Sequence, residues 1–153
     1  MQPLRPEAVA EPRVSAERMA ELHVHVTSPE GALQAALHHL VERVPGALGA
    51  SVADANGLPI ASTFPDQNQL RLAGALAAMI GRAARGALEW LGPNRFQTAA
   101  LEGSVHTIVV CDVSEGTGSL ILVIDRDGDL AAAKREILRA AMEVTTVLDL
   151  DVG

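Results

Sequence analysis

Four acidic side chains near the end of the chain have the spacing of a calcium-binding loop. They occupy positions one, three, five and twelve of a stretch in which an EF-hand loop places oxygen ligands: Asp125, Asp127, Asp129 and Glu136. Leu130 stands where that loop requires glycine, and the preceding residues are typical of a strand, not of the helix that an EF-hand needs. We therefore predict a turn here, with Asp129 as the N-cap of the following helix.

Two histidine pairs are the other candidates for metal ligands. His23 and His25 alternate in a strand-like segment, whereas His38 and His39 are adjacent within a predicted helix. Alternate strand residues share a face and adjacent helix residues do not, so only the first pair could chelate an ion. Isolated pairs of this kind are weak signals for a metal. We expect surface histidines and no metal site.

No group of residues has the makeup of a catalytic or nucleotide-binding centre. His106 lies in a valine-rich strand pattern with no serine or cysteine nucleophile arranged beside it, which favours a core or interface histidine. Cys111, in the same pattern, behaves as a small apolar residue unless a basic neighbour lowers its pKa. The glycine-rich link 116–118 lacks the phosphate-loop pattern and a following helix. We therefore expect no catalytic residue and no cofactor.

Composition and charge restrict the possible partners. The 153 residues include 12 Lys and Arg against 19 Asp and Glu, and the net charge of -7 repels nucleic acid. Aromatic residues make up 2% of the chain, too few for base stacking or aromatic cages. One cysteine excludes an internal disulfide, and no apolar run approaches the ~20 residues of a membrane helix. Because a signal-peptide pattern is also missing, we expect a cytoplasmic protein that binds no nucleic acid and spans no membrane.

Caps, turn signals and hydrophobic periodicity predict the elements. Residues 1–28 carry three prolines among scattered charges and are expected to be a mobile tail, although the alternation at 22–26 fits an added edge strand or a partner-binding peptide. The globular domain then covers 29–153. Its predicted helices have Ser28, Asp66 and Asp129 as N-caps. Its predicted strands span 48–53, 58–62, 96–101, 105–113 and 119–124.

The links between the strands predict how they pair. The first two strands form a hairpin, in which Asn56 and Gly57 are expected to supply the positive φ angles of the turn. Short links make the last three strands antiparallel neighbours. The strand 119–124 is apolar on both faces, so helices must cover both faces of the sheet. The predicted order is α-β-β-α-β-β-β-α, in the α/β (α+β) class.

The middle helix carries two different apolar stripes. Its larger residues suit packing on the sheet: Leu72, Leu76, Met79, Ile80, Ala83 and Leu91. A second, mostly small stripe would let another helix approach closely: Ala73, Ala77, Gly81, Ala84 and Leu88. Glycine within a helix costs ~1 kcal/mol relative to alanine, so the glycines favour a homodimer in which this helix meets its two-fold mate. The alternative is that the helix is simply alanine-rich and that its glycines reflect this composition rather than a helix contact.

Three arginines form a narrow polar seam on the same helix: Arg71, Arg82 and Arg85. In a chain of net negative charge, such a seam is suited to steering and orienting an approaching protein. The alternative is that these residues only solubilise the helix, with Arg85 paired to Glu89 four residues later. We treat the three arginines as candidate partner-binding residues.

The chain resembles the roadblock/dynein light chain family over residues 29–148. The resemblance is carried by a helix that ends in Val44-Pro45-Gly46 and by the small apolar strand and D-x-x-G-L turn that follow at 49–58. It is nearest to the stand-alone bacterial branch. The resemblance implies a three-layer sandwich, with a five-stranded antiparallel sheet between two helices on one face and one helix on the other.

The same resemblance implies a function. Family members dimerise through the middle helix and the strand after it, which here would add Phe96 and Thr98 to the interface. In many members the paired helices receive Ras-like small GTPases, and bacterial members include partners that accelerate GTP hydrolysis without an active site of their own. We therefore expect a non-catalytic homodimer that regulates or scaffolds a Ras-like GTPase. The alternatives are a ligand-sensing domain and a purely dimerising scaffold in a cytosolic signalling complex.

Overall fold

Three helices and a five-stranded sheet make up the part of the chain that the computed structural model describes, residues 28–152. The helices are α1 (Pro29–Arg43), α2 (Gln67–Trp90) and α3 (Leu130–Val152). The strands are β1 (Ala47–Asp54), β2 (Pro59–Ser62), β3 (Ala99–Glu102), β4 (His106–Val113) and β5 (Gly118–Asp125). The predictions for His23, His25 and the segment 22–26 lie outside the described residues.

The three helices begin where the sequence predicts. Ser28, Asp66 and Asp129 each accept a hydrogen bond from a backbone N–H of the first turn, at distances of 2.8 to 3.1 Å. These bonds satisfy donors that the helix itself leaves without a partner. The stretch 125–129 is thus a turn and helix cap, as expected.

The sheet is antiparallel, with the strand order β2-β1-β5-β4-β3. α1 and α3 pack on each other and on one face of the sheet, and α2 covers the opposite face. β5 is apolar on both sides because it serves both layers: Leu120 and Leu122 point to α1 and α3, and Ile121 points to α2. The predicted three-layer sandwich and its element order are confirmed.

Two local predictions are wrong. Gly57 has a φ of +86°, but Asn56 does not adopt a positive φ. Asp54 shapes the turn instead, since its carboxylate accepts the backbone N–H groups of Asn56 and Leu58. β3 begins at Ala99 and not at Phe96, because the Phe96 ring packs against the core under α2 and residues 94–98 leave the sheet.

Candidate interaction surfaces

α2 turns its small residues toward the sheet of its own chain. Ala73, Ala77 and Gly81 are buried, and the two alanines share a core cluster with Val110. A Cβ added to Gly81 would lie 2.9 Å from the Ser119 Oγ, so helix and sheet approach closely at this point. The small stripe thus lets α2 approach its own sheet, and its contact with a second copy stays a prediction. Of the larger residues, Leu76 and Ile80 pack on the core as expected, whereas Leu72, Met79 and Leu91 are exposed.

The other residues of the predicted dimer contact are only half-buried: Ala84, Leu88, Phe96 and Thr98. Their contact with a second copy of the chain stays a prediction. Large apolar side chains occupy the outward face of α2, where Leu72 is 60%, Met79 57% and Trp90 85% exposed. Periodicity alone could not distinguish the two faces, since both are apolar.

The edge of the sheet at β2 is closed to a further strand. β2 begins with Pro59, which has no N–H to donate, and its pairing with β1 contains a register irregularity. The carbonyl oxygen of Ser62 accepts a hydrogen bond from the Gln34 Nε2 of α1 at 2.7 Å. Proline, bulges and covering side chains are the usual means by which proteins prevent strand addition.

The edge at β3 is open. β3 pairs with β4 without interruption, and the Gly103 N–H donates to the His106 carbonyl at 2.9 Å where the hairpin closes. Since backbone groups of alternate residues in an antiparallel ladder point to opposite sides, those of Ala100 and Glu102 point away from β4. Leu101, which is 54% exposed, pairs with Ile108 on the face that α2 covers. The Leu101 side chain therefore lies at the open edge, on the same side of the sheet as α2.

The three arginines of the predicted seam have different environments. Arg85 forms an ion pair with Asp112 of β4 and not with Glu89, and 31% of its side chain is exposed. Arg82 donates from Nη2 to the Ala55 carbonyl in the β1–β2 turn at 3.2 Å. Arg71 is exposed and makes no hydrogen bond or ion pair with another described residue. Partner binding stays a prediction for all three arginines, although Arg85 already has an acidic partner in its own domain.

The ion pair lies beside a strained turn that connects β4 to β5. Burial raises the pKa of the Asp112 carboxyl, and the Arg85 guanidinium acts in the opposite direction. Ser114 and Glu115 have φ angles of 51° and 55°, a region that is costly for residues other than glycine. α3 holds this turn, since the Ser114 N–H donates to the Thr145 Oγ1 at 2.9 Å.

A groove of about 960 Å³ lies between α2 and α3 where β4 ends. Its apolar lining comes from Leu88, Phe96, Leu138, Ala141 and Met142. Its less exposed polar groups already bond to protein partners, as in the Arg85–Asp112 pair and the Ser114–Thr145 bond. A metabolite would therefore meet few polar groups in need of a partner, which weighs against the ligand-sensing alternative.

The remaining candidate residues do not form a catalytic or metal centre within residues 28–152. His106 is exposed at the start of β4, so it is not a core histidine, and its place in an interface stays a prediction. Cys111 is buried as predicted, and burial raises the pKa of its thiol far above the ordinary value. No three His, Cys, Asp or Glu side chains in this range are grouped as metal ligands.

The sequence matches the model of a known family over most of the sheet. The match to the Roadblock/LC7 domain covers residues 33–125, from α1 to the end of β5. The chain belongs to the Roadblock/LC7 family. The resemblance that the helix ending and the hairpin indicated is thereby confirmed. No curated protein sequence matches the chain.

Several solved structures share this roadblock fold. A Roadblock/LC7 domain from Streptomyces avermitilis superimposes with a TM-score of 0.67 at 21% identity, over 78% of this chain and 98% of that one. MglB from Myxococcus xanthus gives 0.68 at 22% identity, over 78% and 90%. The gliding protein MglB from Thermus thermophilus gives 0.68 at 24% identity, over 78% and 90%. Another MglB structure, described as a tetrameric arrangement, gives 0.69 at 24% identity, over 78% and 89%.

At these identities the structural likeness shows the fold. The roadblock chain also has, across the residues that the structure describes, no helix with the length and apolar content to cross a membrane. The candidate interaction surfaces of this chain are the outward face of α2, the open edge of β3 and the β1–β2 turn.

Proposed function

We propose that this roadblock protein forms a homodimer that binds and regulates a Ras-like small GTPase, without catalytic groups of its own. The dimer forms through the exposed side of α2 and the open edge of β3. The observation that carries the proposal is that large apolar side chains are exposed both on α2 and at the open edge of the sheet: Leu72, Met79 and Leu101. Exposed apolar surface of this kind on a small domain is typical of an interaction site.

A single two-fold axis at this edge would bring both surfaces into contact with a second copy of the chain. β3 would pair antiparallel with β3 of the second copy, and the backbone groups of Ala100 and Glu102 would gain hydrogen-bond partners. The two α2 helices would then lie side by side on the same face of the joined sheet, with their exposed flanks turned toward each other. A Cβ added to Gly86 would meet nothing within 4 Å in its own chain, so the exposed side of α2 has open space at this point. The contact thus moves from Ala77 and Gly81 to the outward residues of the same helix.

Family membership supports the choice of partner. The paired middle helices of roadblock dimers are the platform implied for a Ras-like GTPase, and MglB structures are among those that share this fold. Such a platform needs no catalytic groups of its own. Regulation would then act by repositioning groups of the GTPase or by scaffolding it.

The dimer is tested by adding a charge to the outward face of α2. Met79→Glu should convert the protein to a folded monomer, because burying an unpaired carboxylate in an apolar contact is strongly unfavourable. Leu48→Glu is the control, since Leu48 is 53% exposed near the start of β1, which β5 and β4 separate from β3. Sedimentation velocity measures the mass and circular dichroism checks the fold. A monomeric parent at micromolar concentration, or a Met79→Glu dimer as stable as the control, contradicts the proposed interface.

The GTPase partner is tested with purified proteins. Each Ras-like small GTPase of the source organism is loaded with GDP or with a non-hydrolysable GTP analogue, and its affinity for the dimer is measured by calorimetry. Single-turnover GTP hydrolysis, with and without the dimer, then separates acceleration from scaffolding. We expect one GTPase to bind with a preference for one nucleotide state. If none binds, the proposed regulation is wrong and a scaffold for other proteins becomes the better explanation.

A further inference from the structure

The β1–β2 turn is fixed to α2 as one rigid unit. Gly57 lies against the helix, and a Cβ added to Gly74 would be only 2.6 Å from the Gly57 carbonyl oxygen. The turn holds itself together as well, since the Asp54 carboxylate accepts the N–H groups of Asn56 and Leu58 at 2.9 and 3.0 Å. Arg82 adds a hydrogen bond from α2 to the Ala55 carbonyl at 3.2 Å. The position of the turn on the helix is therefore set in advance.

This rigid unit displays an apolar side chain beside cations. Leu58 follows directly after the glycine that touches α2, and it is 63% exposed. Arg71 lies one helical turn before Gly74 and is exposed without a hydrogen bond or ion pair to a described residue. Arg82 has its guanidinium at the same turn. The Asp54 carboxylate lies in the same turn, where it accepts backbone N–H groups, so the arginines supply the charge that is available to a partner. A preorganised apolar contact beside two arginines has the composition of a protein-binding site, since little conformational entropy is lost on binding.

The unit lies away from the proposed dimer contact. In the order β2-β1-β5-β4-β3, the β1–β2 hairpin is at one edge of the sheet and β3 is at the other. The hairpin also touches the flank of α2 that carries Gly74 and Ala78, whereas Met79 points outward. A dimer joined through β3 and the outward face of α2 would therefore leave this surface accessible in both copies.

We propose that Leu58, Arg71 and Arg82 form a contact for an acidic and partly apolar surface of the GTPase, an inference that rests on the proposed function. Charge complementarity sets the chemistry of the partner. The chain as a whole has a net charge of -7 and repels a carboxylate-bearing partner. The local group of arginines attracts such a partner to this surface. Leu58 provides the apolar area, and the arginines orient the approach. Arg85 has no part in this contact, because Asp112 already holds it.

The test compares two variants with two matched controls on the purified dimer and its GTPase. Leu58→Ser should weaken binding by at least about tenfold, the loss expected when a buried leucine contact is removed. Arg71→Glu should slow association several-fold at low salt and less at high salt, because steering is screened. The controls are Leu48→Ser, at a leucine 53% exposed near the start of β1, and Lys134→Glu, at an exposed lysine on α3. Both controls should bind as the parent does.

The outcomes separate this inference from the proposed function. If the parent binds no Ras-like GTPase, the proposed function is wrong and the inference is lost with it. If the parent binds and both variants bind as tightly and as fast as their controls, the GTPase uses another surface and only the inference is wrong. Sedimentation velocity and the unfolding midpoint show whether each variant remains a folded dimer. If one variant does not fold, the other still tests the contact.

Discussion

Replacing Gly74 with alanine should destabilise the domain relative to the same change at Gly86. Both glycines lie within α2, where alanine is favoured over glycine by about 1 kcal/mol of helix propensity. The substitution therefore adds the same methyl group with the same intrinsic gain at both positions. Any difference between the two variants reports what surrounds each added Cβ.

The surroundings of the two positions are opposite. At Gly74 the new Cβ would lie 2.6 Å from the Gly57 carbonyl oxygen, 3.4 Å from the Pro59 Cγ and 3.5 Å from the Ala53 Cβ. The nearest atom belongs to the backbone of a hydrogen-bonded turn, so relief requires moving the turn, and overpacking of this kind costs about 1–3 kcal/mol. At Gly86 nothing lies within 4 Å. We expect Gly86→Ala to be more stable than Gly74→Ala by about 1–3 kcal/mol.

Urea unfolding measures this difference. Both substitutions are made in the Met79→Glu background, because Gly86 lies on the proposed dimer contact and the stability of a dimer depends on its concentration. A difference of about 2 kcal/mol shifts the thermal midpoint by several degrees in a domain of this size, which gives an independent check. If Gly74→Ala is as stable as Gly86→Ala, the turn does not rest on α2 as the structure has it, and the preorganised surface at Leu58 loses its basis.

Three further predictions concern the interior. Ala77→Leu should lower the free energy of unfolding by about 1–3 kcal/mol, because Ala77 is 0% exposed against its own sheet. Urea unfolding measures this loss. Sedimentation velocity should not show a stable monomer, which is the result expected if Ala77 lay in the dimer contact. Cys111 should resist alkylation in the folded protein and react on unfolding, because burial raises the pKa of its thiol; mass spectrometry after timed quenching tests this, and fast labelling of the native chain would contradict it. Because the pKa of the Asp112 carboxyl is raised in the folded protein, the folded state keeps a proton at pH values just above 3.8 that the unfolded state has already lost. The free energy of unfolding should therefore fall as the pH rises from 3.8 through the raised pKa. Asp112→Asn lacks this titration, so the unfolding free energy of the parent minus that of Asp112→Asn should fall over the same pH range, and a flat or rising difference would refute the prediction.

The sequence by itself determined the features that depend on short-range interactions. An N-cap oxygen bonds to its own first turn, so Ser28, Asp66 and Asp129 mark helix starts without knowledge of the rest of the fold. The turn after Asp54 is likewise closed by residues within four positions. Element order followed from these local signals, and the antiparallel pairing followed from the shortness of the links. The family could be recognised for the same reason, since its signature lies in one helix ending and one hairpin.

Only the tertiary structure decided which side of α2 faces inward and what its arginines contact. A helix with apolar residues on both sides has no inward face of its own, and the choice came from the close fit of Gly74 to the β1–β2 turn and of Gly81 to β5. Arg85 and Asp112 are 27 residues apart in sequence, and no local pattern relates them. The start of β3 was decided in the same way, because packing of the Phe96 ring under α2 competes with strand pairing at an edge. Interactions between distant segments set these features, and a pattern read along the chain does not contain them.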